Sequence, residues 1–282
     1  MKFCLSIGML LSTFAVSAQS NKSFDAPDQI LWHSRTKNWF VSNLGGGVSF
    51  ERDKNGWISR LDAGGEIIER QWVKGLDAPS GMVSTEHKLF VCDRDGVVQI
   101  DIATAKIEKM FPIHGEFIND VAIAANGDLY VSDFHANRIY RLPVKDRKAE
   151  VFLELKESPD GVLVDGQNLI IATWGKVVNK TTFETSRKGT LLTVDLMSKK
   201  MVPLLKNNLE IGNLEGIVKA GEYFYVTDWM RGALLKVSVK HGIQVVLTGL
   251  TNPTDPGYSR ELDLVAFPEH TGNRVTFLNI GQ

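Results

Sequence analysis

Cysteine is nearly absent: the 282-residue chain has two. Cys4 lies in an apolar N-terminal stretch, so its removal would leave Cys92 alone. A single thiol forms no internal disulfide, and within the run Leu89-Phe90-Val91-Cys92 it reads as a small buried hydrophobe. Charge of one sign is also missing. Lys and Arg number 32 against 33 Asp and Glu, with no basic run, so no nucleic-acid partner is expected. There is no G-x-S-x-G elbow for a serine nucleophile and no phosphate-binding G-x-x-x-x-G-K-[ST] loop. The six histidines are scattered without H-E-x-x-H spacing, and His135 reads as a surface residue. Nowhere is there an apolar run long enough to span a bilayer. The nearest is Leu5–Val16, preceded by Lys2 and followed by the small residues Val16-Ser17-Ala18. That pattern is a secretory signal peptide cleaved after Ala18. The expectations are a leader over 1–18, one domain over 19–282, a periplasmic or secreted location, no membrane anchor, and a monomer.

What the chain does have is a unit repeated six times. The unit reads as a strand end, often Pro, then a short polar residue, then a hydrophobic strand that in most copies finishes in a small residue plus Asp or Asn. Pro27-Asp28-Gln29-Ile30 leads to Trp39-Phe40-Val41-Ser42-Asn43, and Pro79-Ser80-Gly81-Met82 to Leu89-Phe90-Val91-Cys92-Asp93. Ile118-Asn119-Asp120-Val121 leads to Leu129–Asp133, Pro159-Asp160-Gly161-Val162 to Leu169–Thr173, and Leu214-Glu215-Gly216-Ile217 to Phe224–Asp228. The sixth copy, Thr254-Asp255-Pro256-Gly257 with Leu262–Val265, matches least well. Units of roughly 40–45 residues made of short strands indicate propeller blades. Two gaps are longer and carry insertions, at Leu44–Gly56 and Gly175–Gly189.

The predicted fold is all-β, a single six-bladed β-propeller. Third strands alternate apolar and polar residues, as in Trp57–Leu61, Val97–Asp101, Arg138–Leu142, Leu191–Asp195, Leu234–Ser238 and Arg274–Leu278. The mature N-terminal segment, Phe24–Pro27, is expected to pair with Arg274–Ile280 and close the last blade, which removes an exposed sheet edge. The residues ending the second strands (Asn43, Asp93, Asp133, Asp228) read as structural, since such side chains bond nearby backbone in turns.

Equivalent positions of all blades converge on the central channel. Asp28, Ser80, Asn119, Asp160, Glu215 and Asp255 should therefore form one ring. Asp28, Asp160 and Glu215 supply carboxylates that repel one another unless a cation neutralises them. Oxygen donors suit calcium first, with magnesium, manganese or zinc as alternatives. Asp255 is a weaker candidate because its unit is poorly matched. Trp174 and Trp229 follow second strands of adjacent blades; they either roof a pocket or fill blade interfaces. The insertion Gly175–Gly189, with Lys176, Lys180, Arg187 and Lys188 against Glu184, reads either as a basic lid or as a solvated loop.

Across roughly residues 24–280, the motifs Pro27–Trp32, Phe117–Val121, Pro159–Val162 and Leu214–Ile217 resemble those of the regucalcin/gluconolactonase family of six-bladed propellers. The resemblance implies a divalent metal held by Asp28, Asp160 and Glu215, where that family has Glu, Asn and Asp. It implies hydrolysis of a lactone or related ester, with Glu215 or Asp160 taking a proton. The implied substrate contacts are Asn119, Asp120 and Phe117, joined by Trp174 and Trp229 from the residue pattern. Phe117 stands where the family carries a substrate-binding arginine, which points away from a sugar-acid lactone. The rival reading is a non-catalytic exported propeller that binds a small molecule, glycan or protein.

Overall fold

The computed structural model describes residues 16–20, 24–46, 51–206 and 210–281. They form six antiparallel sheets, five of four strands and one of five. Blade one runs Pro27–His33, Asn38–Asn43, Gly56–Leu61 and Ile67–Leu76 from the channel outward, and the next four blades repeat that order. Every predicted third strand is present.

The strand sequences follow from their place in the blade. Second strands such as Leu89-Phe90-Val91-Cys92 are flanked by strands on both edges and by blades on both faces, so they are continuously apolar and buried. Outermost strands have one open edge. Lys106–Pro112 is mostly exposed and charged, which discourages pairing with another chain. The core is correspondingly divided into clusters between neighbouring blades. One joins blades one and two through Phe40, Ile58, Leu76, Met82, Leu89 and Val98. Another joins blades six and one through Phe24, Trp39, Val41, Val275 and Phe277. Cys92 is fully buried, and burial drives its thiol well above its ordinary pKa, as expected for a packing residue.

The ring closes at two levels. At the channel, the Asp255 amide donates to the Asp28 carbonyl at 3.0 Å and the Ile30 amide to the Asp255 carbonyl at 3.3 Å. At the outside, the fourth strand of blade six is Val16–Ser20, paired antiparallel with Arg274–Leu278. The closing strand is thus N-terminal to the expected Phe24–Pro27. The reason is local. The amides of Asp25 and Ala26 are taken by the side-chain oxygens of Asn43 (3.2 Å) and Asn273 (2.8 Å), and Ala26 is left-handed at φ 48°. This segment is therefore the loop entering blade one, and Phe24 anchors it in the core. Val16–Ser20 straddles the cleavage position expected after Ala18; the remainder of that leader, residues 1–15, lies outside the described residues.

The sixth unit is also shifted from its expected register. Its second strand is Leu264–Glu269 rather than Leu262–Val265, because Asp263 turns left-handed at φ 51° just before it. Glu269 therefore occupies the place of the strand-ending Asp.

Both insertions occur where expected. In the first, Gly45 and Gly46 have φ of 76° and 100°, conformations that glycine adopts without steric cost. Residues 47–50, including Gly47, lie outside the described residues. The second is an ordered hairpin rather than a loop. The second strand of blade four continues to Asn179 and pairs back with Glu184–Lys188.

Candidate functional site: two rings at the channel mouth

A residue at or just before the start of each blade's inner strand forms the first ring. Asp28, Ser80, Asn119, Asp160, Glu215 and Asp255 are all at least nine-tenths buried. Glycine after the ring residue lets the blades approach there. A Cβ on Gly216 would lie 2.2 Å from Asp255 Oδ1, and one on Gly161 would lie 2.6 Å from the Glu215 carbonyl.

Three of these side chains converge. One carboxylate oxygen each from Asp28, Glu215 and Asp255 lies within 4.8 Å of the others. Asp28 Oδ2, Glu215 Oε2 and Asp255 Oδ2 are buried without a hydrogen-bond partner. Leaving one such group unsatisfied costs about 1–3 kcal/mol, more if it is charged. Two full charges at this separation repel by roughly 3–4 kcal/mol at an effective dielectric near 20. Burial, reinforced by the charge of Asp120, pushes Asp28 up to about 7. Burial and the neighbouring carboxylates drive Glu215 and Asp255 well above the usual range. A divalent cation offers what the three oxygens lack, and an all-oxygen donor set fits calcium or magnesium.

Asp255 thus enters the cluster that the weak sixth repeat had obscured, and Asp160 lies outside this trio. Asp160 is buried and accepts a hydrogen bond from the Asn119 side-chain amide. Burial and the charges of Asp28 and Asp120 raise its pKa well above the ordinary value. Ser80 Oγ donates to the Asn119 carbonyl at 2.6 Å, so it braces the ring. Asp120 is not at the cavity wall. Its carboxylate accepts from the amides of Val121 (2.7 Å) and Val162 (2.7 Å), strapping blade three to blade four. Burial raises it to about 7 against those two hydrogen bonds. Its expected substrate contact gives way to a structural bond, because both oxygens face backbone donors.

A cavity of about 360 Å³ adjoins the ring, lined by Asp28, Ser80, Asn119, Asp160 and Glu215 among others. A second ring borders it. In every blade the residue immediately after the position of Asn43, Asp93, Asp133, Thr173, Asp228 or Glu269 lines this cavity: Leu44, Arg94, Phe134, Trp174, Trp229 and His270. Trp174 and Trp229 were the readable members. The rest were hidden because the position tolerates any large side chain and carries no recurrent residue type, although the fixed offset from the strand end is a usable signal. Phe117 also lines the cavity.

His135 is half-buried in this wall, not at the open surface, with its ring stacked on Phe183 at 5.7 Å. Burial, then the charge of Lys180, lowers its pKa. His270 is buried, its Nδ1 has no partner, and burial pushes it down to about 4 despite a bond to the Pro27 carbonyl. It therefore faces the cavity as a neutral imidazole at neutral pH.

The strand-ending residues do something different. Asp93 accepts from the amides of Asp77 (3.1 Å) and Ala78 (2.7 Å), and Asp133 from those of Glu116 and Phe117 (both 2.9 Å). Asp228 accepts from the Asn213 amide at 3.3 Å. Each ties down the loop entering its own blade, a structural role as expected. Blade four has Thr173 there, and the loop supplies the missing carboxylate: Thr173 Oγ1 donates to Glu157 at 3.0 Å.

No family model matches the chain, and no curated protein matches it. Solved structures do. A gluconolactonase from Xanthomonas campestris aligns over 95% of this chain and 90% of its own, with TM-score 0.68 and 10% identity. The virginiamycin B lyase of Staphylococcus aureus aligns over 95% and 100%, with TM-score 0.60 and 13% identity. An auxiliary nutrient binding protein from Bacteroides thetaiotaomicron aligns over 90% of this chain and 69% of its own, with TM-score 0.68 and 9% identity. At these identities the likeness establishes the propeller fold and leaves the chemistry to the site.

Proposed function

We propose that this protein is an exported, divalent-metal-dependent hydrolase of a lactone or related ester, acting at the channel mouth on a small molecule. The observation that carries the reading is the trio Asp28, Glu215 and Asp255, whose carboxylates converge and each keep one oxygen without a partner, with Asp28 and Glu215 lining a ligand-sized cavity. Calcium is the first candidate, then magnesium or manganese, which also suit carboxylate oxygens, with zinc less suited to carboxylates alone. When bound, the cation supplies electrophilic polarisation of a carbonyl oxygen.

The chain's own residues supply the rest. Asp160 lies at the cavity wall outside the trio, so its carboxylate is the group placed to accept a proton from water there. It takes the proton of the attacking water as the water oxygen bonds to the acyl carbon, then returns it to the departing alkoxide when the ring C–O bond breaks. Asn119, whose amide donates to Asp160, holds that carboxylate in place and borders the substrate. With Glu215 committed to the metal, proton transfer falls to Asp160.

The likeness to a gluconolactonase supports this reading at the level of fold. The likeness to a nutrient binding protein keeps a second one, a non-catalytic exported binder using the same cavity. A panel of aliphatic, aromatic and sugar lactones, assayed with calcium and with chelator, separates them. Metal-dependent turnover lost in Asp160→Asn and Glu215→Gln supports the hydrolase. A flat panel with intact calcium binding favours the binder. Export is tested by the mass of the processed chain, expected to begin at Gln19; a chain retaining Val16–Ala18 would contradict cleavage after Ala18.

A further inference from the structure

We propose that the ligand of this cavity carries a planar aromatic group, which seats against an arc of rings while its oxygen function reaches the acidic floor. The inference rests on the reading of this cavity as the ligand site and names the chemical class of the ligand.

The arc is continuous across four blades. Phe117 and Phe134 of blade three have ring centroids 5.6 Å apart, and Phe134 meets Trp174 of blade four at 5.7 Å. Trp174 meets Trp229 of blade five at 6.2 Å, and Trp229 meets His270 of blade six at 5.1 Å. The spacings and tilts are those of favourable aromatic pairs. Such a wall takes another ring by the same geometry.

The hairpin insertion contributes a ring rather than a charge. Phe183 sits at its turn with φ 57°, a left-handed conformation unusual for a bulky side chain. Its carbonyl accepts from Trp174 Nε1 at 2.9 Å, which fixes the turn over the cavity. From there its ring contacts Phe134 at 5.6 Å and His135 at 5.7 Å. Three cations that would make a basic lid are engaged elsewhere: Lys180 with Glu116, Arg187 with Glu157, and Lys188 with the Asn213 side chain. The hairpin therefore presents Phe183 to the cavity.

A polyhydroxylated ring fits this wall poorly. Each hydroxyl taken from water needs a hydrogen-bond partner, and the arc from Phe117 to Trp229 consists of ring faces and edges. Beyond the floor, the polar side chains of the wall are Arg94 and Asp95, which bond one another at 2.8 Å, Glu116, which pairs with Lys180, and the imidazoles of His135 and His270. An aryl lactone or aryl ester satisfies both parts of the cavity, with ring to the arc and carbonyl to the floor.

Calorimetric titration of the full chain tests this with dihydrocoumarin, its fully saturated bicyclic analogue and δ-gluconolactone. It is run in chelator, so that binding is read without turnover. Dihydrocoumarin is expected to bind about tenfold or more tighter than either competitor, a difference on the scale of one or two ring contacts. Phe183→Ala and Phe183→Leu should both erase most of that preference, the second while keeping bulk. Thermal melts verify that both variants fold. Equal affinity for all three probes, no binding of any, or an aryl preference unchanged in both variants overturns the proposal. Loss of metal-dependent hydrolysis alone would sink the hydrolase reading and leave the aromatic preference standing.

Discussion

Blades one, five and six each bury one polar side chain where the inner strand begins and another where the second strand ends, and the two sets behave in opposite ways. Asn43, Asp228 and Glu269, at the ends of second strands, are met by donors. Glu269 accepts from Thr251 N (2.8 Å), Thr251 Oγ1 (2.9 Å), Thr276 Oγ1 (2.7 Å) and both Arg274 Nε and Nη2 (2.7 and 2.6 Å). Asp28, Glu215 and Asp255, at the start of inner strands, each keep one oxygen with no donor. Burial is nearly the same in the two sets, so burial alone says nothing about role. A buried carboxylate surrounded by donors is holding the fold. A buried carboxylate facing others of its kind is unfinished without a ligand.

The largest effects are expected from breaking the satisfied set. Glu269→Ala strips Arg274 of its partner and should cost about 3 kcal/mol, read from denaturant midpoints, by the same amount with calcium or with chelator. The pH dependences should run in opposite directions. Burial would raise Glu269, but its donors, Arg274 foremost, hold it at about 2 against an ordinary 4.5. Its contribution is present above pH 4.5 and is lost as pH falls through 2. Asp28 stands at about 7 against an ordinary 3.8. Its contribution is present below pH 3.8 and is lost as pH rises through 7. Chelated protein should therefore lose stability between pH 4 and 7, and Asp28→Asn should flatten that slope. An unchanged slope in the variant would contradict the electrostatic picture of the floor.

Next in size, Asp133→Ala removes the acceptor for the Glu116 and Phe117 amides and should cost about 1–3 kcal/mol, again independent of metal. Smaller still, Asp255→Asn in chelator should leave stability within about 1 kcal/mol of wild type or raise it slightly, since one source of repulsion disappears while the volume is kept. If Asp255→Asn proved as costly as Glu269→Ala in chelator, the division into two sets would fail. The smallest change in stability belongs to Phe183→Ala. That ring is half-buried on an inserted hairpin, so its loss should register in ligand choice and scarcely in the melting curve.

The repeat made the fold readable, because blade periodicity sets both strand identity and the convergence of equivalent positions. All six ring residues could be named from it. What it did not reveal is which of them meet. Asp255 was obscured by Pro256 and by the shifted second strand of its blade, and its place beside Asp28 depends on the backbone bonds that close the ring. Asp120 looked like a ligand contact because it adjoins Asn119, yet alternation along a strand turns it to the neighbouring blade. The second ring was legible only at its two tryptophans. His270 and His135 carry no local motif, and their surroundings come from residues far away in sequence. Closure by Val16–Ser20 was missed because the same small residues read equally well as a cleavage site.

The direct test of the floor's role is calcium titration of chelator-stripped protein, followed by calorimetry and thermal melting, in wild type and Asp255→Asn. Wild type should bind one equivalent through the carboxylate trio. At a hundredfold excess over the dissociation constant it should gain about 2.7 kcal/mol, while Asp255→Asn melts at the same temperature with and without calcium. A wild-type melt unmoved by calcium and by magnesium, or an undiminished shift in Asp255→Asn, would contradict a metal centre at Asp28, Glu215 and Asp255.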